Sequence, residues 1–557
     1  MNRISTLSLW LDALDTNFIS YNTSNQISRW VDKSSNAYQF LPLRSDLPPI
    51  LSTNAVLFGP SSFHMMSQTA VSTTSTSDTF VVVYPTLLNG PRQPFFDNAD
   101  FTACETDGRI NTQVYADGKE YFHTIPTSGN TMGSIVYKGD LYAATYSNVN
   151  PAQLKTIPNY LQKYNRNNMS FENVIAPFQI SSMRALAVFS SMIAVAGDTS
   201  VAFYNSSNQT TFSTTLLSSL TFTPIVYNQN LYVTTQGSLY TPSNTTTYPQ
   251  LYSYAGNCNF TIVSSMQAYL NADNSGYYQN TCNAVVYNGS LWFMNYDNIN
   301  GGSITKLNDM TYSSNSLSNG TIYAASVYKG WLTFGRNDIR IWKWSDPNST
   351  FLTTSRLKFG TPNGCAMVAY KGNLVPLKLG SGSNTIDFLS GESNVYAAGG
   401  SSFKQIGITI NTNTSNSMIV HDGKLFLNAN NSKYMYAYGN GTTLDTLVST
   451  GIMLLMFRKS PTITQLWVNG ALAVSQPVNF MYDKQVSRNM YIGGAAGMLN
   501  AYSDPGSDHL QGSIYSFTQY QSNLNSKDRQ TAEGLLAWRF GLQGNLPSSH
   551  PYLISSP

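Results

Sequence analysis

An all-β chain is what the sequence predicts, with a repeat array inserted into a second β domain whose halves lie at the two chain ends. Three observations predict it. Only 11% of the 557 residues are charged while 13% are aromatic, and the chain carries 36 Tyr and 39 Gly, a balance that suits pleated surfaces and many turns. A short hairpin phrase recurs between about residues 128 and 445. The stretches outside that array, residues 7–40 and 535–552, read as the opening and the close of one domain. The length allows two or three domains, each with its own core.

The phrase runs apolar, apolar, aromatic, polar, Gly, any residue, Leu, aromatic or apolar. Its copies lie at Ile135–Tyr142, Ile225–Tyr232, Val285–Trp292, Ser326–Leu332, Val368–Val375 and Ile419–Phe426, with a degenerate copy at Ala187–Ile193. Lys-Gly, Asn-Gly and Asp-Gly pairs supply the positive φ that two-residue hairpin turns need, so each copy reads as two strands and a tight turn. Ser191 and Gln229 replace the glycine in the second and third copies, and those turns are expected to be longer or strained. A weaker phrase of alternating aromatics follows several copies, as in Leu251–Tyr254, Ile341–Trp344 and Met435–Tyr438. Two hairpins every 40–60 residues make a four-stranded blade, and about seven such units make a closed ring that leaves few edges. In architecture the array resembles kelch-like and related β-propellers, although neither the kelch Gly-Gly pair nor the WD dipeptide stands in register. A solenoid is the competing arrangement.

The ends carry a second resemblance. The opening has Leu9, Trp10, Leu11, Asp12 and Asp15, then Trp30, Asp32, Lys33 and Ser34. The close has Gly512, Ile514 and Phe517, a helical Asp-Arg-Gln-x-x-Glu-Gly segment, and Trp538, Gly541, Leu542, Leu546, Pro547, His550, Pro551 and Tyr552. These residues resemble the concanavalin A-like, LamG-type jelly-roll sandwich. The strands at Thr79–Tyr84, Ile452–Phe457, Gln465–Gly470 and Asn489–Gly494 fit the same pattern. The expected division is therefore sandwich over residues 1–105, inserted propeller over 106–445, and sandwich again over 446–557. A long insertion is tolerable there because loop-closure entropy grows slowly with length.

Chemistry is scarce. The formal charge is +3, too small for this size to imply nucleic acid as partner, and no apolar run is long enough to span a membrane. The start lacks the apolar core and cleavage site of a secretory leader, so export, if it occurs, is expected by another route. The five His, namely His64, His123, His421, His509 and His550, share no metal-ligand spacing. His421 fills a slot that is aromatic in the other copies, and His550 belongs to the tail motif. Cys104, Cys258, Cys282 and Cys365 lack C-x-x-C spacing. They read as four reduced thiols, with Cys258 and Cys282 the one pairing that neighbouring repeats suggest. A sialidase-type Asp-box, a phosphate loop and a G-x-S-x-G elbow are all missing from the sequence. No catalytic residue and no cofactor is expected. Through the LamG-type resemblance Asp12, Asp15 and Asp32 are candidates for calcium, set against the plainer reading of fold-stabilising hydrogen bonds.

Recognition by surface remains. Aromatic faces stack on sugar rings, and Asn, Ser and Thr match their hydroxyls. Trp292, Trp331, Trp342 and Trp344 are the candidate stacking residues, against the alternative that they pack between blades. Tails of this LamG type are similar to those of virion and tail proteins of large DNA viruses and phages. The resemblance implies a non-enzymatic virion-surface protein, a capsid-decorating, spike or fibre component contacting other capsid proteins and a host-surface glycan or protein receptor. The alternatives are a carbohydrate-active propeller enzyme, a purely structural cement protein and an extracellular, secreted adhesin.

Overall fold

The structure is a computed structural model. It describes residues 4–59, 64–86, 93–98, 101–106, 108–115, 122–146, 160–174, 185–197, 200–206, 211–215, 221–235, 250–257, 259–265, 279–287, 290–297, 301–307, 313–317, 322–328, 331–336, 340–345, 350–356, 367–378, 384–389, 403–410, 414–430, 433–478, 487–497 and 510–557.

Two large antiparallel sheets are assembled from both ends of the chain. The first has eight strands, among them Leu7–Asp12, Val56–Phe58, Ser77–Pro85, Met453–Lys459, Ile463–Val468, Ala471–Pro477 and Gly512–Tyr520. Its opening strand pairs with its last, Leu11 opposite Phe517 and Asp12 opposite Ser516. The second sheet has nine strands, running from Ile19–Tyr21 at one edge to Gly441–Leu447 at the other. Leu9, Val81, Leu455 and Phe517 of the first sheet share a core with Trp30, Phe40, Phe96 and Ile492 of the second. The continuous apolar run from Phe80 to Pro85 within the strand Ser77–Pro85 follows from burial on both faces. Val81 and Val83 enter the inter-sheet core, while Phe80 and Val82 pack outward beneath the helix Ser526–Arg539 with Leu536 and Ala537. Asn525 caps that helix by accepting the Asp528 N–H at 2.9 Å.

The sheets reach further into the chain than residues 105 and 446. Arg109–Tyr115 pairs with Phe101–Thr106 on one side and with Gly441–Leu447 on the other. Both strands carry the mixed polar and apolar pattern of a blade strand, so periodicity could not say which sheet would claim them. The insertion runs between Tyr115 and Gly441.

Within the insertion each described repeat copy opens a sheet. Asn130–Tyr137, the innermost strand of the first, touches Ala185–Phe189, which touches Thr221–Tyr227; Gln279–Tyr287, Ile322–Tyr328, Met367–Tyr370 and Thr414–His421 follow, and the last touches the first. The final sheet takes its outer strand, Phe122–Pro126, from before the first copy. That exchange ties the ring shut and pairs a strand that would otherwise stand alone. The protein is thus all-β with an inserted β-propeller.

The glycine-free turns keep the two-residue form. Both central residues are left-handed at Ser190 and Ser191 (φ 48° and 59°) and at Asn228 and Gln229 (47° and 61°), as they are at Lys138 and Gly139 (49° and 80°). The expectation of longer turns is therefore corrected: these turns hold non-glycine residues in a conformation that costs roughly 1–2 kcal/mol each. Replacing Gln229, whose turn is solvent-exposed, by Gly is expected to raise stability by about 1 kcal/mol, read as a higher midpoint in urea at unchanged slope.

Candidate functional site

The repeated tyrosine has a specific task. Tyr137 donates its hydroxyl proton to the Ser191 carbonyl at 2.6 Å, Tyr328 to that of Gly372 at 3.1 Å and Tyr370 to that of Gly423 at 3.0 Å. Each acceptor is the second turn residue of the next repeat copy, so the phenol of one blade satisfies the turn of its neighbour. His421 cannot span that distance with a hydroxyl. Arg166 supplies the bond instead, donating to the Gly139 carbonyl at 2.7 Å while its Nε lies 3.1 Å from Asp422 Oδ2 and its guanidinium 3.4 Å from His421 Nε2. Tyr370→Phe is expected to lose about 1 kcal/mol by leaving the Gly423 carbonyl without this buried partner, measurable by denaturant titration.

The repeat copies also fasten the propeller to the nine-stranded sheet and its loops, and this seam is the candidate functional site. Gly423 donates its N–H to Gln113 Oε1 at 3.2 Å, and Asp422 donates its own to Thr443 Oγ1 at 3.0 Å. The Tyr370 ring meets Tyr115 edge-on at 5.6 Å. Tyr328 forms a backbone bridge with Gly497. Arg44, buried, hydrogen-bonds the Tyr287 hydroxyl and pairs with Asp46. Five of the repeat copies thus meet the nine-stranded sheet or its loops, the first and last through the turn itself and the other three through the tyrosine that precedes it. Two of their glycines have no room for a side chain, since a Cβ at Gly139 would lie 2.2 Å from Asp445 Oδ2 and one at Gly423 would lie 2.1 Å from the Val114 carbonyl oxygen. The glycine-free third turn, at Asn228 and Gln229, is exposed.

Electrostatics at the seam follow from burial. Burial raises the Asp422 carboxyl, but His421, Arg166 and Lys424 outweigh it and hold the group below the usual carboxylate range. Burial, with the nearby Arg166, lowers Lys424. Tyr164, desolvated and close to Asp422, is pushed up to about 12.

The residues proposed for ligands fall elsewhere. Trp292 is buried, 5% exposed, with its indole N–H donated to the Tyr287 carbonyl at 3.0 Å and its ring 6.5 Å from Tyr287. It therefore packs the blade behind Arg44 and offers no open face to a sugar. Trp331 opens the strand Trp331–Arg336, opposite Tyr328, while Trp342 and Trp344 lie on Arg340–Ser345, opposite Thr353 and Phe351. The side chains of these three lie outside the described residues.

The calcium candidates are engaged by the chain itself. Asp12, buried, binds Arg539 at 2.6 Å and Lys33 at 3.1 Å. Asp15 holds the same ammonium at 2.7 Å, and Lys33 sits 4.0 Å over the Trp10 ring. Asp32 accepts the N–H groups of Trp10 and Ser34 on Oδ1 and the Ser34 hydroxyl on Oδ2 at 2.6 Å. The positive charge facing the Asp pair comes from a lysine and an arginine. Of the cysteines, Cys104 is buried; the pairing of Cys258 with Cys282 lies outside the described residues.

The tail motif forms a buried clasp. Glu533 pairs with Arg529 one turn earlier and with His550 Nε2 at 3.2 Å, and Trp538 donates its indole N–H to the Tyr552 carbonyl at 2.8 Å. Arg458 and Arg529 each lie 5.2 Å from the Trp467 ring. Burial lifts the Glu533 carboxyl to about 7 despite Arg529, while burial and then Arg529 lower His550. A raised carboxyl stabilises fully below its unfolded value near 4.5, and that contribution fades as the pH rises through 7. A lowered His stabilises above about 6.5 and fades as the pH falls. Glu533→Gln removes the first effect. The variant is expected to gain on the wild type between pH 5 and 7, by on the order of 2–3 kcal/mol, with Tm against pH as the readout.

These features define the class: an all-β protein whose inserted propeller is fixed by its own repeat turns. No family model matches the chain, and no curated protein does. Among solved structures it is similar to the Cps50 (Swd1) β-propeller domain of Myceliophteria thermophila, at 8% identity over 58% of this chain and 99% of that one, with a TM-score of 0.41. It is also similar to a chain of a mitotic checkpoint complex, at 11% identity over 59% of this chain and 96% of that one, again with a TM-score of 0.41.

Proposed function

We propose that the chain is a non-enzymatic virion-surface protein, a capsid-decorating, spike or fibre component. In this reading the paired sheets are a concanavalin A-like, LamG-type jelly-roll sandwich that anchors the molecule against other capsid proteins. The propeller has seven blades and carries host attachment through a glycan or protein receptor.

The observation that supports it most is the one-sided seam. Five repeat copies meet the nine-stranded sheet or its loops at their turn ends, so the opposite strand ends, such as Tyr146 and Tyr160 in the first blade, lie away from the anchor. An insertion held by one rim presents the other rim at a fixed orientation, which suits display of a binding face. The test is binding of the full chain to arrays of glycans and host-surface proteins, beside a variant carrying Trp342→Ala and Trp344→Ala. Binding that the double substitution abolishes at unchanged Tm supports attachment through the propeller. Failure of the wild type to bind any of them would overturn attachment and favour a cement role.

A further inference from the structure

A cleft of about 220 Å³ opens where the first blade meets the large sheets. Lys138, Gly139, Asp140 and Arg166 line it from the propeller, and Arg109 and Asp445 are among the residues that line it from the sheets. We propose that this cleft binds a small anion, a carboxylate or sulfate, free or carried on a single sugar.

The charge around it supports the sign. Asp445 is taken by Arg109, whose Nε lies 2.6 Å from Oδ2, and Asp140 by Lys163 at 2.7 Å. Arg166 is engaged by buried Asp422. The cleft's lining thus carries three cations, Arg109, Lys138 and Arg166, against two carboxylates, Asp140 and Asp445, so its own charge is net positive. Lys138 lines the cleft from the first turn, its ammonium 3.2 Å from Ser206 Oγ and 5.1 Å from the Tyr137 ring centre. It reaches that place because it is the first residue of a turn, locked left-handed at φ 49° and followed by a glycine pressed on Asp445. Pre-positioned guanidinium and ammonium groups favour a charged oxygen acceptor over a neutral one. The volume lies below the ~300 Å³ of the smallest drug-sized pockets, which limits the occupant to one acidic group with a small body.

The cleft belongs to the seam and not to the outward rim, so its test is independent of the attachment test. Calorimetric titration of the full chain uses sodium sulfate and sodium glucuronate, with sodium chloride at matched ionic strength and glucose as comparisons. The variant is Lys138→Asn, since Asn228 and Asn288 hold that turn position in other copies; Lys371→Asn makes the same change in a turn away from the cleft. Saturable binding of sulfate and glucuronate, weakened at least fivefold by Lys138→Asn and unchanged by Lys371→Asn, supports the proposal. Glucuronate alone would identify an acidic sugar as the source of the anion. Equal heats from chloride, binding of glucose as tight as glucuronate, or equal affinity in wild type and Lys138→Asn would overturn it.

Discussion

Gly423→Ala is expected to destabilise the protein by at least 3 kcal/mol, and Gly372→Ala by only about 1–2. The two glycines hold the same place in successive turns, with φ of 60° and 71°. Both substitutions force alanine into a left-handed conformation. They differ in what surrounds the new methyl group. At Gly423 it would sit 2.1 Å from the Val114 carbonyl oxygen and 2.8 Å from Gly441 Cα, both backbone atoms of the nine-stranded sheet, whereas at Gly372 nothing lies within 4 Å. The difference between the variants therefore isolates the seam from the turn. Equal losses, measured by denaturant titration, would mean that the propeller does not press on the sheet at this point.

Asp12→Ala should be comparably damaging, at about 3–5 kcal/mol, because it strands positive charge beside a buried strand. Asp12 Oδ2 receives both the Arg539 guanidinium and the Lys33 ammonium, and Oδ1 accepts the Leu14 N–H at 3.2 Å. These bonds tie the first strand to the end of the helix, more than 500 residues away in sequence. Asp12→Asn keeps the shape and is expected to lose less. Millimolar calcium, enough for the weakest extracellular modules, should leave the wild-type Tm unchanged, since Lys33 and Arg539 already neutralise the site. A rise in Tm with calcium that Asp12→Asn removes would show that the acids hold a metal instead.

Much of the architecture was legible because its signals are local. Two-residue turns with glycine mark the blades, and the placement of Leu7–Asp12 beside Gly512–Tyr520 follows the terminal motifs. The domain boundaries were less so, since Arg109–Tyr115 and Gly441–Leu447 differ from blade strands only in what they pair with. The seam was hidden for the same reason. Nothing near Arg44 in sequence announces a partner at Tyr287, and Arg166 is an ordinary strand-end arginine until the ring closes beside His421. One trace was readable: the third copy, which lacks the glycine, has its turn in solvent, whereas the glycines of the first and last copies are crowded by the sheet. Trp292 illustrates the opposite error, because a tryptophan in a β hairpin looks alike in sequence whether it faces a ligand or fills a blade.

The account rests on the propeller and the large sheets unfolding as one interlocked body. Scanning calorimetry of the full chain measures this directly, with an Arg44→Ala variant beside the wild type. The seam predicts a single cooperative transition in the wild type, with a calorimetric enthalpy matching the van't Hoff value. It also predicts a lower or split transition once the Arg44 contact with Tyr287 is removed. Two separate wild-type transitions, both unmoved by Arg44→Ala, would contradict it and leave the propeller an independent domain on a passive tether.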